Sequence, residues 1–213
     1  MILLGASVSQ FVRKVLVVAT EKGITFEHRP VNPRTCDDPD YLLASPFRKI
    51  PALKDGDYTL SDSTAIITYL EAKHPNPPMI PAEARARGKA IWFEEMADTI
   101  LSGAISKVFV NRVIMPVFLN LPGNEAEATE ALTVTLPPML AYLESVAPTN
   151  GFLVGDSFGI ADISVTSALV NLTLGNANVD ATTYPKLAAY YARMTARPSF
   201  ATLIAGDRAM LGM

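Results

Sequence analysis

A single cysteine, Cys36, occurs in 213 residues, so no intrachain disulfide can form and no thiolate cluster is offered to a metal. Positive charge is also scarce: 18 Lys and Arg against 21 Asp and Glu leave a net charge of -3 and a pI near 5.4. A nucleic-acid surface needs clustered Lys and Arg, so none is expected. No uninterrupted apolar run is long enough to cross a membrane, and the start lacks the basic, apolar and small-residue regions of a secretory leader. Internal repeats and low-complexity tracts are missing too. With 49% hydrophobic residues there is ample material for a buried core in one large or two small domains. These properties predict a cytoplasmic chain without metal, membrane or nucleic-acid partners.

The most informative stretch runs from Arg48 to Ile67. Pro51 has no N–H and restricts Ile50 to an extended conformation, and an X-Pro bond is the plausible place for a cis peptide. A cis bond turns the Ile50 backbone outward. Asp55-Gly56 supplies the positive φ of a tight hairpin. Ser61 or Asp62 can cap the helix that follows, whose free N–H groups and positive dipole end favour a carboxylate. Such a sheet edge can hold a small peptide-like ligand through its main chain.

Upstream, Met1 to Leu4 is a short apolar run ending in Gly5, and Val12, Val15, Leu16 and Ala19 recur at helical spacing. Lys22-Gly23 ends that helix, Ile24 to Arg29 alternates as a strand, and Pro39 to Leu43 reads as a short helix. The order β-α-β-α-β-β-α, with a proline before the third strand, resembles the thioredoxin-like domain of cytosolic glutathione transferases. The segments that carry the resemblance are Ser9 to Val15, Ser45 to Leu53 and Asp62 to Leu70. They are similar to the serine-type members, theta, phi, zeta or tau-like in a bacterial style.

The resemblance implies glutathione as co-substrate, no metal, and an activated thiol. A free thiol has a pKa of about 8.5, so little thiolate exists at neutral pH; a hydroxyl donating to the sulfur at a helix N-terminus lowers that value. Alignment on Phe11 to Val15 and Gly23 puts Ser9 at the family's catalytic serine, with Ser7 in reserve. Ser9 also reads simply as an N-cap. By the same resemblance the Ile50 backbone, beside a cis Pro51, pairs with the cysteinyl main chain of glutathione as an added strand. Ser63 then holds the γ-glutamyl carboxylate, Asp62 receives the ammonium group, and Lys49 pairs with the glycyl carboxylate or is an ordinary solvated lysine. Relatives carry Glu or Gln where Asp62 stands, and a His-Lys pair is missing near Cys36-Asp37. Cys36, far from the first-helix loop, is not expected to be catalytic, and His28 and His74 are assigned structural or surface roles.

Pro75, Pro77, Pro78 and Pro81 mark a stiff linker. The expected division is a thioredoxin-like domain over 1–76, a linker over 77–82 and an all-helical domain over 83–213. Glu83 to about Asn120 has helical spacing, with Pro116 kinking or ending it, and Trp92, Phe93 and the methionines reading as core. Glu125 to Val146 is bent or split by Pro137-Pro138; Ala161 to Leu174, Tyr184 to Thr195 and Ser199 to Ala205 follow. Gly151 to Ser164 is similar to the family's entry into its buried helix. There Gly159 replaces the capping hydroxyl and Asp162 keeps half of a capping box. Ala6, Val8, Met96, Ile100 and Ala104 are candidates for lining a pocket for an apolar electrophile.

Three functions compete. The first is conjugation of glutathione to a hydrophobic electrophile, as in detoxification, with Ser9 stabilising the thiolate. The second is a glutathione-dependent isomerase or peroxidase. The third is a noncatalytic ligand- or partner-binding module. Relatives are usually homodimers, and Phe47 is a candidate interface residue.

Overall fold

Leu3 and Leu4 are wholly buried in β1 (Ile2–Leu4), the strand on which the N-terminal unit is built. The structure is a computed structural model describing residues 1–213, in two units, Met1–Met79 and Ile80–Met213. In the first, β1 is followed by α1 (Gln10–Glu21), β2 (Glu27–Arg29), α2 (Pro39–Ala44), β3 (Ala52–Asp55), β4 (Tyr58–Ser61) and α3 (Ser63–Lys73). The sheet order is β2-β1-β3-β4, with β1 parallel to β2 and β3 antiparallel to both β1 and β4. Gly56 turns the β3–β4 hairpin at φ 64°, the left-handed conformation that glycine adopts without penalty.

β2 is shorter than the alternation of Ile24 to Arg29 predicts. The Ile24 N–H is taken by the Ala19 carbonyl at 2.8 Å, so the strand begins only after the end of α1 is closed. Burial on α1 is also broader than a single stripe: Val12, Val15 and Ala19 are covered, but so are Arg13 and Lys14. Lys22 ties the ends of α1 and α3 together. Its ammonium donates to the carbonyls of His74 and Pro77, each at 2.7 Å, and pairs with Glu71 at 2.7 Å, with the Lys22 side chain fully buried. A buried ammonium is tolerated only when its protons find acceptors, and this one has three.

The helical unit starts with one long helix, Ala84–Phe118. It comprises α4 (Ala84–Glu95), a π-helical stretch Met96–Leu101, α5 (Ser102–Phe109) and a second π-helical stretch Val110–Phe118. Pro116 lies within that last stretch and the helix stops two residues beyond it, with the Leu119 N–H reaching the Ile114 carbonyl at 3.1 Å. The wider winding spaces the backbone bonds around a residue that has no N–H. This helix corrects one expectation. At 35 residues, with an 18-residue window of mean hydropathy 1.4, it is long and apolar enough by composition to cross a membrane. Here it packs along α8 (Ile160–Leu174) throughout its first three stretches.

Pro137 and Pro138 do not split the next helix. They stand at the start of α7 (Leu136–Val146) within one unbroken helical run 125–146, directly after α6 (Glu125–Glu130) and a π turn Ala131–Thr135 whose wider winding accommodates two residues without an N–H. α9 (Pro185–Thr195) and α10 (Pro198–Leu211) complete the unit. Trp92 is not core: it is 43% exposed, edge-on to Phe93 and Tyr142, with the Lys89 ammonium 4.2 Å above its ring. Phe93, one position on, is buried.

α8 is buried almost end to end, and wholly covered Ile163, Leu169 and Leu172 each contribute about 1.5–3 kcal/mol relative to exposure. Its entry depends on Asp162. One carboxylate oxygen accepts from the Leu153 N–H at 2.9 Å and the Tyr190 hydroxyl at 2.7 Å; the other accepts from the Gly159 N–H at 3.2 Å. Gly159 has no side chain to answer, so half of the capping box operates. Burial raises the Asp162 pKa above the ordinary carboxylate value, against the pull of these bonds.

Candidate functional site

The register aligns Leu4 with Ala52 and Ala52 with Ser61. The ends of β1 and β4 and the start of β3 therefore meet at one end of the sheet. Three segments emerge there: the loop to Ser9, the Ile50-Pro51 turn, and the Asp62-Ser63 entry to α3.

The first loop is pinned at several points. Gly5 donates its N–H to the Arg29 carbonyl at 3.0 Å, and the His28 Nε2–H donates to the Gly5 carbonyl at 2.7 Å. Arg13, wholly buried, donates from Nη2 to the Val8 carbonyl at 3.3 Å. The Ser9 N–H closes a turn onto the Ala6 carbonyl at 3.0 Å. Ser9 itself is the N-cap residue of α1 by position, yet its hydroxyl makes no capping bond and the first turn holds no acidic residue. The hydroxyl thus stands at an uncompensated positive helix end. Ser7 lies two residues earlier, within the turn.

Gly5 has φ 148°, and a Cβ there would lie 2.6 Å from Val12 Cγ2 and 3.2 Å from Ile50 Cβ. Both the first loop and the Ile50 turn therefore need glycine at this point. Gly5→Ala is expected to destabilise the protein by about 1–3 kcal/mol through strain and overpacking. Its signature is a lowered melting temperature together with weaker binding of any ligand on Ile50. An alanine variant with unchanged melting and binding defeats the prediction.

The Ile50-Pro51 bond is cis, and Ile50 joins none of the sheet pairings. Asp62 caps α3: its Oδ1 accepts from the Thr64 and Ala65 N–H groups at 2.9 and 3.0 Å. It does so with φ 80°, a conformation costly for a non-glycine residue and concentrated at functional sites. Asp62 thereby leaves the buried Ser63, at the first position of α3, with its N–H unclaimed by the cap. The Lys49 side chain is exposed. Cys36 is half-buried against the cluster of Leu4, Tyr41, Ala44 and Ala52, and its carbonyl accepts from Arg48 at 3.1 Å.

The residues proposed to line an electrophile pocket divide. In the first unit Val8 is buried and Ala6 half-buried; in the second Met96 and Ala104 are buried but Ile100 is 55% exposed. The π winding of Met96–Leu101 rotates this row off the face that a 3.6-residue period draws. His28, assigned a structural or surface role from sequence, holds the Gly5 carbonyl, and Arg13, assigned no role there, holds that of Val8. Only the pairing of Leu3 with His28 reveals the former, and no local motif announces it.

Residues 3–78 match the N-terminal domain family of glutathione S-transferases and residues 111–206 the C-terminal one. Glutathione S-transferase 3 of Zea mays is 31% identical over 209 residues, covering 95% of this chain and 92% of that protein. The chain belongs to the glutathione S-transferase family. Among solved structures, the apo form of human glutathione S-transferase T1-1 superposes with a TM-score of 0.83 at 27% identity, over 98% of this chain and 88% of that one. A glutathione S-transferase of Methylobacterium radiotolerans, solved with glutathione sulfonate, does so with a TM-score of 0.76 at 25% identity, over 95% and 93%. The family's fold, a small mixed sheet with helices followed by a helical domain, is the one described above.

Proposed function

We propose that this family member conjugates glutathione to a hydrophobic electrophile and that Ser9 stabilises the reacting thiolate. The observation that carries the reading is the Ser9 hydroxyl, unspent on capping, at the same sheet end as Ile50, cis Pro51 and Ser63. The Ile50 backbone takes the cysteinyl main chain of glutathione as an added strand. The γ-glutamyl carboxylate lies on Ser63 and the N-terminus of α3, where dipole and free N–H favour an anion. Asp62 receives the ammonium group through Oδ2, since Oδ1 caps the helix. Lys49 is the cation nearest in sequence for the glycyl carboxylate. The thiol then loses its proton to solvent water, and the sulfur forms a bond to the electrophile as a leaving group departs or a double bond takes up the electron pair and a solvent proton. Ser9 donates to the sulfur throughout, lowering its pKa.

Met96 and Ala104 are the helical unit's own candidates for contacting the electrophile, and Ala6 and Val8 are those of the first unit. A cytoplasmic homodimer completes the proposal, with Phe47, 84% exposed, offered to a partner copy.

Titration of bound glutathione tests the reading without knowledge of the electrophile. The thiolate ultraviolet absorbance of the complex is expected to rise with a midpoint at least one unit below the free-thiol value of about 8.5. Glutathione that binds with an unshifted midpoint removes the catalytic claim, and failure to bind any leaves a noncatalytic module.

A further inference from the structure

Ser45 is 1% exposed and closes α2, and its hydroxyl engages both backbone polar groups of one residue. It accepts from the Lys49 N–H at 2.8 Å and donates to the Lys49 carbonyl at 2.8 Å. The Tyr41 hydroxyl donates to the same carbonyl at 3.4 Å, and burial pushes that phenol up, keeping it a donor. The Arg48 N–H returns to the Ser45 carbonyl at 2.9 Å, with Arg48 at φ 52° to make the turn. Residues 45–49 thus form a closed ring of hydrogen bonds that ends immediately before the cis bond. With the Lys49 groups occupied and Pro51 lacking an N–H, Ile50 is the residue at this edge whose backbone can accept a new strand partner.

We propose that Ser45 is a positioning residue for glutathione. By engaging both backbone groups of Lys49, it fixes the direction in which Ile50 presents its N–H and carbonyl. The inference rests on the glutathione reading above and goes beyond it, since Ser45 touches no substrate. A buried hydroxyl with two good partners also stabilises a fold. The role proposed here is separated from that one by strand pairing.

The experiment compares glutathione with an analogue N-methylated at the cysteinyl amide, which cannot donate to the Ile50 carbonyl. Calorimetry is expected to show wild-type protein preferring glutathione by about tenfold, the worth of one hydrogen bond. Ser45→Ala is expected to bind glutathione about tenfold more weakly and to lose the preference, binding the two ligands within about twofold of each other. Ser45→Thr, which keeps the hydroxyl, is expected to restore the preference. Should Ser45→Ala not fold, Ser45→Cys carries the same comparison, because a thiol is a weaker donor and acceptor. A variant that weakens both ligands equally and keeps the wild-type preference overturns the positioning role alone. Wild-type protein without any preference overturns the glutathione reading, and this inference with it.

Discussion

Ser9→Ala is expected to lower kcat/KM for conjugation about 10- to 100-fold at neutral pH while glutathione affinity changes by less than about threefold. A hydrogen bond to a charged group contributes about 1.5–3 kcal/mol, equivalent to about one to two pKa units of the thiol. Losing it moves bound glutathione back toward the free-thiol midpoint, so the thiolate titration and the rate fall together. Stability is the control. A serine that caps a helix costs about 1 kcal/mol when removed, but the Ser9 hydroxyl makes no capping bond, so melting should hardly change. Ser7→Ala is the companion variant and should leave the titration in place. If the two results are exchanged, Ser7 is the thiolate donor; if neither variant shifts the titration, activation by serine is abandoned.

The largest expected effect on stability comes from Asp162→Ala. It strips an acceptor from the Leu153 and Gly159 N–H groups and the Tyr190 hydroxyl, at a site 1% exposed. Unpaired buried donors cost about 1–3 kcal/mol each, partly relieved by water, so a loss of about 3–5 kcal/mol and a melting temperature lower by about 10 °C are expected. Asp162→Asn, which keeps one acceptor, should lose about 1–2 kcal/mol. The pH dependence distinguishes charge from hydrogen bonding. Because burial raises the Asp162 pKa, the folded state binds a proton at pH values where the unfolded chain has already released it. Stability from this group is therefore full below the ordinary carboxylate range and is lost as pH rises through the raised folded value. The advantage of wild type over Asp162→Asn should accordingly widen on acidification. Chemical denaturation at several pH values measures it, and a gap that narrows instead refutes the account.

Local chemistry made part of this protein readable. Asp55-Gly56 allows few backbone paths, proline removes a donor wherever it stands, and an Asp before a helix caps it; the hairpin, the Pro51 turn and the Asp62 cap follow from neighbours in sequence. The same locality explains the errors. Periodicity drawn at 3.6 residues treats Met96, Ile100 and Ala104 as one row, and a π turn, which depends on packing, moves Ile100 out of it. Trp92 and Phe93 are adjacent aromatics of similar apolarity, and only the packing of α4 buries one and leaves the other beneath Lys89. His28 carries no motif because its partner, the Gly5 carbonyl, is 23 positions away and meets it through the β1–β2 register.

Sequence by itself therefore determined the two-part architecture, the order of strands and helices, and the residue types at the end of the sheet where Pro51 and Ser63 stand, since each depends on propensity, spacing and turn chemistry within a few residues. Tertiary structure alone decided that the Ser9 hydroxyl makes no capping bond while Asp62 caps, that Ser45 closes on Lys49, and that Gly5 has no room for a Cβ. Those outcomes depend on which donors and acceptors meet in space, and hydrogen bonds act over about 3 Å whatever the distance along the chain.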